Sequence, residues 1–231
     1  MNNGKKTRRQ FLMLTGVATG TCALSCLGMG SLLSTGDLPD LAMPIGFPEF
    51  SLEENSTGKK ILVTYASNTG STGGVAEEIG KTLAETGLSV DVHPIQSVTH
   101  LDDYAAVVLG SPINSGKWLP SATEFVESNH EKLREIPTAF FLVGLMANKK
   151  NEADIKLVDQ FLENERALVP PVAEGRFVGV MFTSNYSGLE KLGMHFFIAY
   201  CGLGLRGGDF REPDTIQVWT ESINPLLIKR T

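Results

Sequence analysis

Ser67-Asn68-Thr69-Gly70-Ser71-Thr72 is the stretch of this 231-residue chain best equipped to hold a ligand. Hydroxyls, one amide and a glycine sit together there without a charge. Ile61 to Tyr65 before it is a short β-forming apolar run. After it Val75, Ile79 and Leu83 recur at i, i+4 and i+8, so the loop joins a buried strand to an amphipathic helix. The amides of Thr69 to Gly73 would then point out of the first helical turn, where unpaired N–H groups and the helix dipole attract an anion. Ser67, Thr69, Ser71 and Thr72 add hydroxyl donors, and Gly70 lets the backbone approach closely. The Gly-Lys-Ser/Thr ending of a triphosphate loop is missing, and so is a G-x-G-x-x-G dinucleotide turn. A terminal monophosphate ester, bound without counter-charge, fits the loop best.

The elements that must position this loop alternate along the chain. Ser89 to Val92 reads as a strand near a sheet edge. Tyr104 to Gly110 reads as a buried strand running into the turn-rich Ser111 to Trp118, and Pro120 starts a helix through about Arg134. Ala139 to Leu145 is the next buried strand, followed by a helix over Ala153 to Leu168, a last strand over Phe177 to Thr183, an apolar helix over Leu189 to Leu205 and a closing helix over Thr215 to Leu227. This pattern predicts an α/β doubly wound, five-stranded parallel sheet of order 2-1-3-4-5. A ligand crevice is expected outside the strand ends, between the first and third strands.

Residues 1–36 are expected to be a targeting segment and 37–59, with Pro39, Pro44 and Pro48, a linker before a domain over 60–231. Thr7-Arg8-Arg9-Gln10-Phe11-Leu12 resembles a twin-arginine export signal, and the uncharged, moderately apolar Phe11 to Leu33 follows it. Export across the cytoplasmic membrane in the folded state is the expectation. No A-x-A cleavage site is evident, so retention as a membrane anchor stands beside cleavage, with lipidation of Cys22 or Cys26 as the lesser alternative. The net charge is −6 with +4 in the first 36 residues, which leaves −10 over the rest. An acidic body argues against a nucleic-acid binder and suits docking on basic partners or plain solubility. The three cysteines and four histidines lack metal-ligand spacing, and no residue is assigned as a catalytic acid, base or nucleophile.

Tyr65 to Thr72, read against an S/T-x-T-G-x-T loop, resembles the flavodoxin family. The likeness continues through Val108-Leu109-Gly110-Ser111-Pro112-Ile113, Gly116, Trp118-Leu119, Phe141-Leu142-Val143-Gly144 and Gly208-Asp209-Phe210-Arg211. Taken in order, these resemble the branch that includes menaquinone-dependent protoporphyrinogen dehydrogenases. The resemblance implies a flavodoxin-like fold, the standing example of ligand binding at this switch point, and FMN as cofactor. It implies that Ser67, Asn68, Thr69, Gly70, Ser71 and Thr72 bind the FMN phosphate. Ser111, Pro112, Ile113, Asn114, Ser115 and Gly116 would line one side of the isoalloxazine, and Gly144, Leu145, Met146, Ala147 and Asn148 the other. A backbone carbonyl of Asn114 to Gly116 could turn toward flavin N5 and tune the redox potential. Trp118 is read two ways, as a cover for the ring or as packing at the start of the following helix.

The functional expectation is an FMN protein that moves electrons, acting on a redox partner protein or as a quinone-linked dehydrogenase. The alternatives are a non-catalytic electron carrier and a flavin-free interaction module. Gly193 to Leu205 departs from the dehydrogenase branch, where this segment tends to be basic and aromatic; here it is apolar. Its Phe196 and Phe197 read either as core under the sheet or as a face for a second copy, a membrane or a quinone.

Overall fold

The structure, a computed structural model, describes residues 46–53 and 60–228. The expected leader with its twin-arginine-type motif lies outside them, as do residues 37–45 and 54–59 of the linker. The described elements are β1 (Phe50–Leu52), β2 (Lys60–Tyr65), α1 (Ser71–Glu85), β3 (Val90–Pro94), β4 (Tyr104–Asn114), β5 (Lys117–Trp118), α2 (Pro120–Glu135), β6 (Thr138–Val143), α3 (Glu152–Asp159), α4 (Glu163–Leu168), β7 (Ala173–Phe177), β8 (Val180–Met181), α5 (Gly188–Tyr200), β9 (Gly208–Asp209) and α6 (Pro213–Leu227).

The main sheet has seven strands in the order β1-β3-β2-β4-β6-β7, with β5 paired to β4. β3, β2, β4, β6 and β7 pair in parallel, and β1 and β5 are antiparallel additions. The expected five-stranded sheet is corrected accordingly. β1 belongs to a stretch read as linker, and pairs Phe50 with Val92 and Leu52 with Val90. β5 belongs to a stretch read as loop. It folds back because Ser115 and Gly116 both have positive φ, at 53° and 78°, the geometry of a two-residue hairpin turn that follows strand twist. The last parallel strand is β7 and not Phe177 to Thr183. β7 is a sheet edge with the half-polar sequence AEGRF, whereas the more apolar run after it breaks at Gly179 and pairs with β9 in a separate two-stranded sheet. The helix expected over Ala153 to Leu168 is split by a 3₁₀ turn at Gln160–Leu162.

Neighbouring strand residues point to opposite faces. Val63, Tyr65 and Phe141 pack with Val75 and Ile79 of α1 and Ile216 and Ile223 of α6. Leu62, Leu109 and Phe140 pack on the other side with Phe125 of α2 and Leu162. Burial on both faces is why β2, β4 and β6 read as continuous apolar runs. A third cluster, Leu145, Val178, Ile198 and Cys201, holds α5 at the end of the sheet. Phe196 and Phe197 are 63% and 40% exposed, so the reading of them as core is corrected: Ile198 and Cys201 face inward instead. Among the described residues, no helix is long and apolar enough to cross a membrane.

Candidate functional site

A cleft of about 630 Å³ opens where β2, β4 and β6 end. The loop Ser67, Asn68, Thr69, Ser71 and Thr72 forms its polar end. The β4–β5 hairpin contributes Pro112, Ile113, Asn114, Ser115 and Gly116, and Gly144, Leu145, Met146 and Ala147 follow from the end of β6. Three stretches far apart in sequence are thus brought together at one cleft.

Four expected residues stand behind this lining. Gly70 caps α1 with φ 84°. Its N–H donates to Ser67 Oγ at 2.9 Å, and its carbonyl accepts from Gly74 N–H at 3.1 Å, which folds the loop onto the helix start. Ser111 Oγ is buried, accepts from Leu119 N–H at 3.0 Å and donates to the Pro112 carbonyl at 3.1 Å. Trp118 is 3% exposed and meets Phe140 edge-on, with centroids 5.1 Å apart; of its two readings, the structure places it as packing. Asn148 Nδ2 donates to the Cys201 carbonyl at 2.8 Å and ties the wall to α5.

The loop carries a signature of its own. Thr72 Oγ1 is fully buried and has no hydrogen-bond partner among the described residues. A buried polar group left so costs about 1–3 kcal/mol. α1 has no acidic residue in its first turn that would oppose an anion. Ser71 Oγ accepts from Val180 N–H at 2.7 Å and keeps its own proton free to donate. Gly179 packs directly against this hydroxyl: a Cβ there would lie 2.7 Å from Ser71 Oγ and 2.6 Å from Val143 Cγ1. An orphaned hydroxyl at a helix N-terminus, lining a cleft, is what a phosphate ester would need.

Much of the remaining lining is apolar. Phe161, Met181, Phe182, Tyr186, Phe197 and Tyr200 belong to it, none of which the sequence singled out as site residues. Most belong to the excursion between β7 and α6, so no local pattern marks them. Lys149 fixes this wall: its Nζ donates to the Tyr200 carbonyl at 2.9 Å, lies 3.8 Å from that ring's centroid and pairs with Asp154 at 3.2 Å. Tyr200 Oη also donates to Asp154, at 3.1 Å. The Asn151 amide, helped by Lys149 and Tyr200 against desolvation, holds the Asp154 carboxyl below its usual range. Burial pushes the Cys201 thiol up, so it stays a thiol.

The loop holds no cation, but the fold brings one to its helix. A side chain at Gly74 would collide with Arg211 Nη1, which places the guanidinium against the first turn of α1. Arg211 donates to Asp209, which holds that carboxyl low, so much of its charge is already matched. Among the described residues, no cluster of three or more His, Cys, Asp or Glu could hold a metal.

Residues 62–200, more than half of the chain, match the family described as flavodoxin domain. The chain is 29% identical over 152 residues to a protoporphyrinogen IX dehydrogenase (quinone) of Leishmania major, covering 64% of this chain and 65% of that protein. It is 29% identical over 92 residues to the protein of the same name from Escherichia coli K12, covering 39% of this chain and 51% of that one. The chain therefore spans less than two thirds of either relative's length. A solution structure of two-electron reduced Megasphaera elsdenii flavodoxin aligns at 22% identity and TM-score 0.40, over 51% of this chain and 85% of that one. A Lactobacillus acidophilus flavoprotein in complex with FMN aligns at 15% identity and TM-score 0.39, over 52% and 93%.

Proposed function

The chain belongs to the flavodoxin domain family, and on that footing we propose that it is an FMN-binding electron-transfer protein. The observation that carries this is the unpartnered, buried Thr72 Oγ1, set in an uncharged hydroxyl loop at one end of an apolar cleft. Ser67, Asn68, Thr69, Ser71 and Thr72 would hold the phosphate, with Gly70 making the turn. The hairpin from Pro112 to Gly116 and the wall from Gly144 to Ala147 would flank the ring. FMN, when bound, supplies reversible uptake of electrons and protons. The chain's own part is to bind, orient and keep water away: Met146, Phe161 and Phe197 line the apolar walls. Asn114, Ser115 and Gly116 offer backbone polar groups at a two-residue turn, which can adapt to the protonation state of a ring facing them.

The finer reading is a quinone-linked dehydrogenase, exported by the twin-arginine route and held at the membrane by its leader. The names of the two dehydrogenase relatives and the apolar rim of the cleft support it. A plain electron carrier is the second reading, favoured by the charge of −10 outside the first 36 residues.

Purification of the full chain from cells, with a visible spectrum and chromatography of the acid-released chromophore, tests the cofactor. A colourless protein that takes up no added FMN rejects the proposal. Turnover of a short-chain quinone by the photoreduced protein separates dehydrogenase from carrier. Arg8→Lys with Arg9→Lys should leave the chain in the cytoplasm if the export reading holds, and unchanged export of that variant would reject it.

A further inference from the structure

Among the described residues, those that line the cleft carry no charge. Two charges nevertheless meet at one of its rings. Lys149 lies two residues beyond Ala147 of the lining, and its N–H donates to the Met146 carbonyl at 3.0 Å. Its Nζ donates to the carbonyl of Tyr200, the last residue of α5, at 2.9 Å and lies 3.8 Å from the centroid of that ring. A cation there also meets the negative end of the helix dipole. Asp154 accepts from Tyr200 Oη at 3.1 Å and pairs with Lys149 at 3.2 Å. It is fixed in turn on the first turn of α3, where its N–H donates to the capping Asn151 Oδ1 at 2.9 Å. Tyr200 is thus tied at its carbonyl, its ring face and its hydroxyl, although it is 56% exposed. The Lys149 and Asp154 side chains are only 16% and 12% exposed, so solvent ions screen neither strongly.

We propose that Lys149 and Asp154 are positioning residues that set the redox potential of a flavin held in this cleft: they fix the Tyr200 ring on its wall and place two opposed charges behind it. This role rests on the FMN reading. A flavin ring gains electrons on reduction, and its negative charge grows wherever protons do not follow. Across an uncharged lining, a cation behind the wall favours the reduced form and an anion the oxidised form. With both in place the two effects largely cancel. Removal of one leaves the other unmatched, and the potential moves with the sign of the charge that remains. Loosening of the wall weakens both redox forms alike and drops out of their ratio. The potential therefore separates the charges from plain packing.

The test measures midpoint potentials of the FMN-loaded full chain by photoreduction against an indicator dye, beside melts of the flavin-free chain. Asp154→Asn should favour reduced over oxidised FMN by roughly tenfold, a rise of about 30 mV for a two-electron couple. Lys149→Met should shift the ratio by as much the other way. The double variant should return toward the parent, and Lys149→Arg should stay with it. Lys156→Met is the control: it removes an exposed charge on the same helix, paired with Glu152 at 2.9 Å, and should leave the potential unchanged. Lys149→Gln repeats the measurement should Lys149→Met misfold. In the flavin-free chain both single variants should melt lower, each having lost one partner of a largely buried pair. Unchanged melts in both overturn the brace and with it the proposal. Potentials that stay put, or move the same way in both single variants, overturn the role of the charges and leave the FMN reading standing. An equal shift in Lys156→Met assigns the effect to net charge and also overturns it. A chain that takes up no FMN overturns both readings.

Discussion

Ser71 Oγ accepts the Val180 amide proton at 2.7 Å, across 109 residues of sequence. Ser71 is the first residue of α1 and Val180 the first of β8. This bond ties the Ser67–Thr72 loop to the excursion after β7. The excursion is also what supplies Tyr186, Phe197 and Tyr200 to the lining of the cleft. One side chain therefore ties the hydroxyl loop to the strand that leads into the aromatic lining.

Ser71 and Thr72 should separate in mutagenesis although they are adjacent and both carry hydroxyls. Ser71→Ala leaves the Val180 N–H without its partner and should lower stability by about 1 kcal/mol even without cofactor. Thr72→Val removes a hydroxyl that has no partner among the described residues, so the apo-protein should melt at the same temperature or slightly higher. FMN affinity should fall by roughly ten- to a hundredfold in Thr72→Val, the worth of a hydrogen bond to a charged group. Thermal melts with and without FMN, alongside a fluorescence titration, check both. Equal apo stability losses in the two variants would contradict the assignment.

Gly179 and Gly74 offer a matched pair for the cradle. A Cβ at position 179 would come 2.6 Å from Val143 Cγ1 and 2.7 Å from Ser71 Oγ, inside the site. A Cβ at Gly74 meets the end of the Arg211 side chain, which can swing away. Gly179→Ala should weaken FMN binding by an order of magnitude or more, because one misplaced methyl in a packed cradle costs about 1–3 kcal/mol. Gly74→Ala should bind FMN like the parent chain. Isothermal titration of both apo-proteins gives the comparison directly.

The Ser67–Thr72 loop and its place in the cleft are legible in the sequence because every residue that shapes the loop lies within one strand–loop–helix segment. The hairpin lining was legible for the same reason, through Asn114-Ser115-Gly116. The far wall was not. β7 is a sheet edge, and AEGRF offers no apolar run. The run from Phe177 onward is apolar because it packs under α5 and lines the cleft, not because it continues the sheet. α5 misleads in another way: an inward face with Ile198 and an open face with Phe196 are alike in a one-dimensional reading. β1 spans only Phe50–Leu52 after Pro48, and looks like linker until β3 is present to pair with it.

Trp118 should behave as a core residue. It is 3% exposed against Phe140, within the layer that holds Leu109 and Phe125. Trp118→Ala should destabilise the protein by about 3–5 kcal/mol through cavity formation. Trp118→Phe keeps most of the volume and removes an indole N–H that has no partner among the described residues, so it should cost far less. Neither should shift the position of the bound flavin's visible bands. A band shift in Trp118→Phe at unchanged stability would restore the reading of Trp118 as a ring cover.

Acid sensitivity should centre on Asp91, which is 7% exposed at the pairing of β2 with β3. Burial alone would raise its pKa. Hydrogen bonds from Ser51, Tyr104 and Lys60 outweigh that, and the carboxyl ends below its ordinary 3.8. Tyr104 Oη is 3.0 Å away and Lys60 Nζ 3.3 Å. A folded pKa below the unfolded one means that the unfolded chain binds the extra proton first. The stabilisation is complete above the unfolded value and is lost as pH falls through the folded one. Asp91→Asn should therefore cost about 1.5–3 kcal/mol at neutral pH, and the gap to the parent should close as both are acidified below about pH 4. Tyr104→Phe removes one donor and should cost about 1 kcal/mol with the same pH trend. FMN affinity should not move in either variant, because neither residue lines the cleft. Chemical denaturation at stepped pH values checks this. Parallel stability curves for Asp91→Asn and the parent down to pH 3 would place the acid-labile group elsewhere.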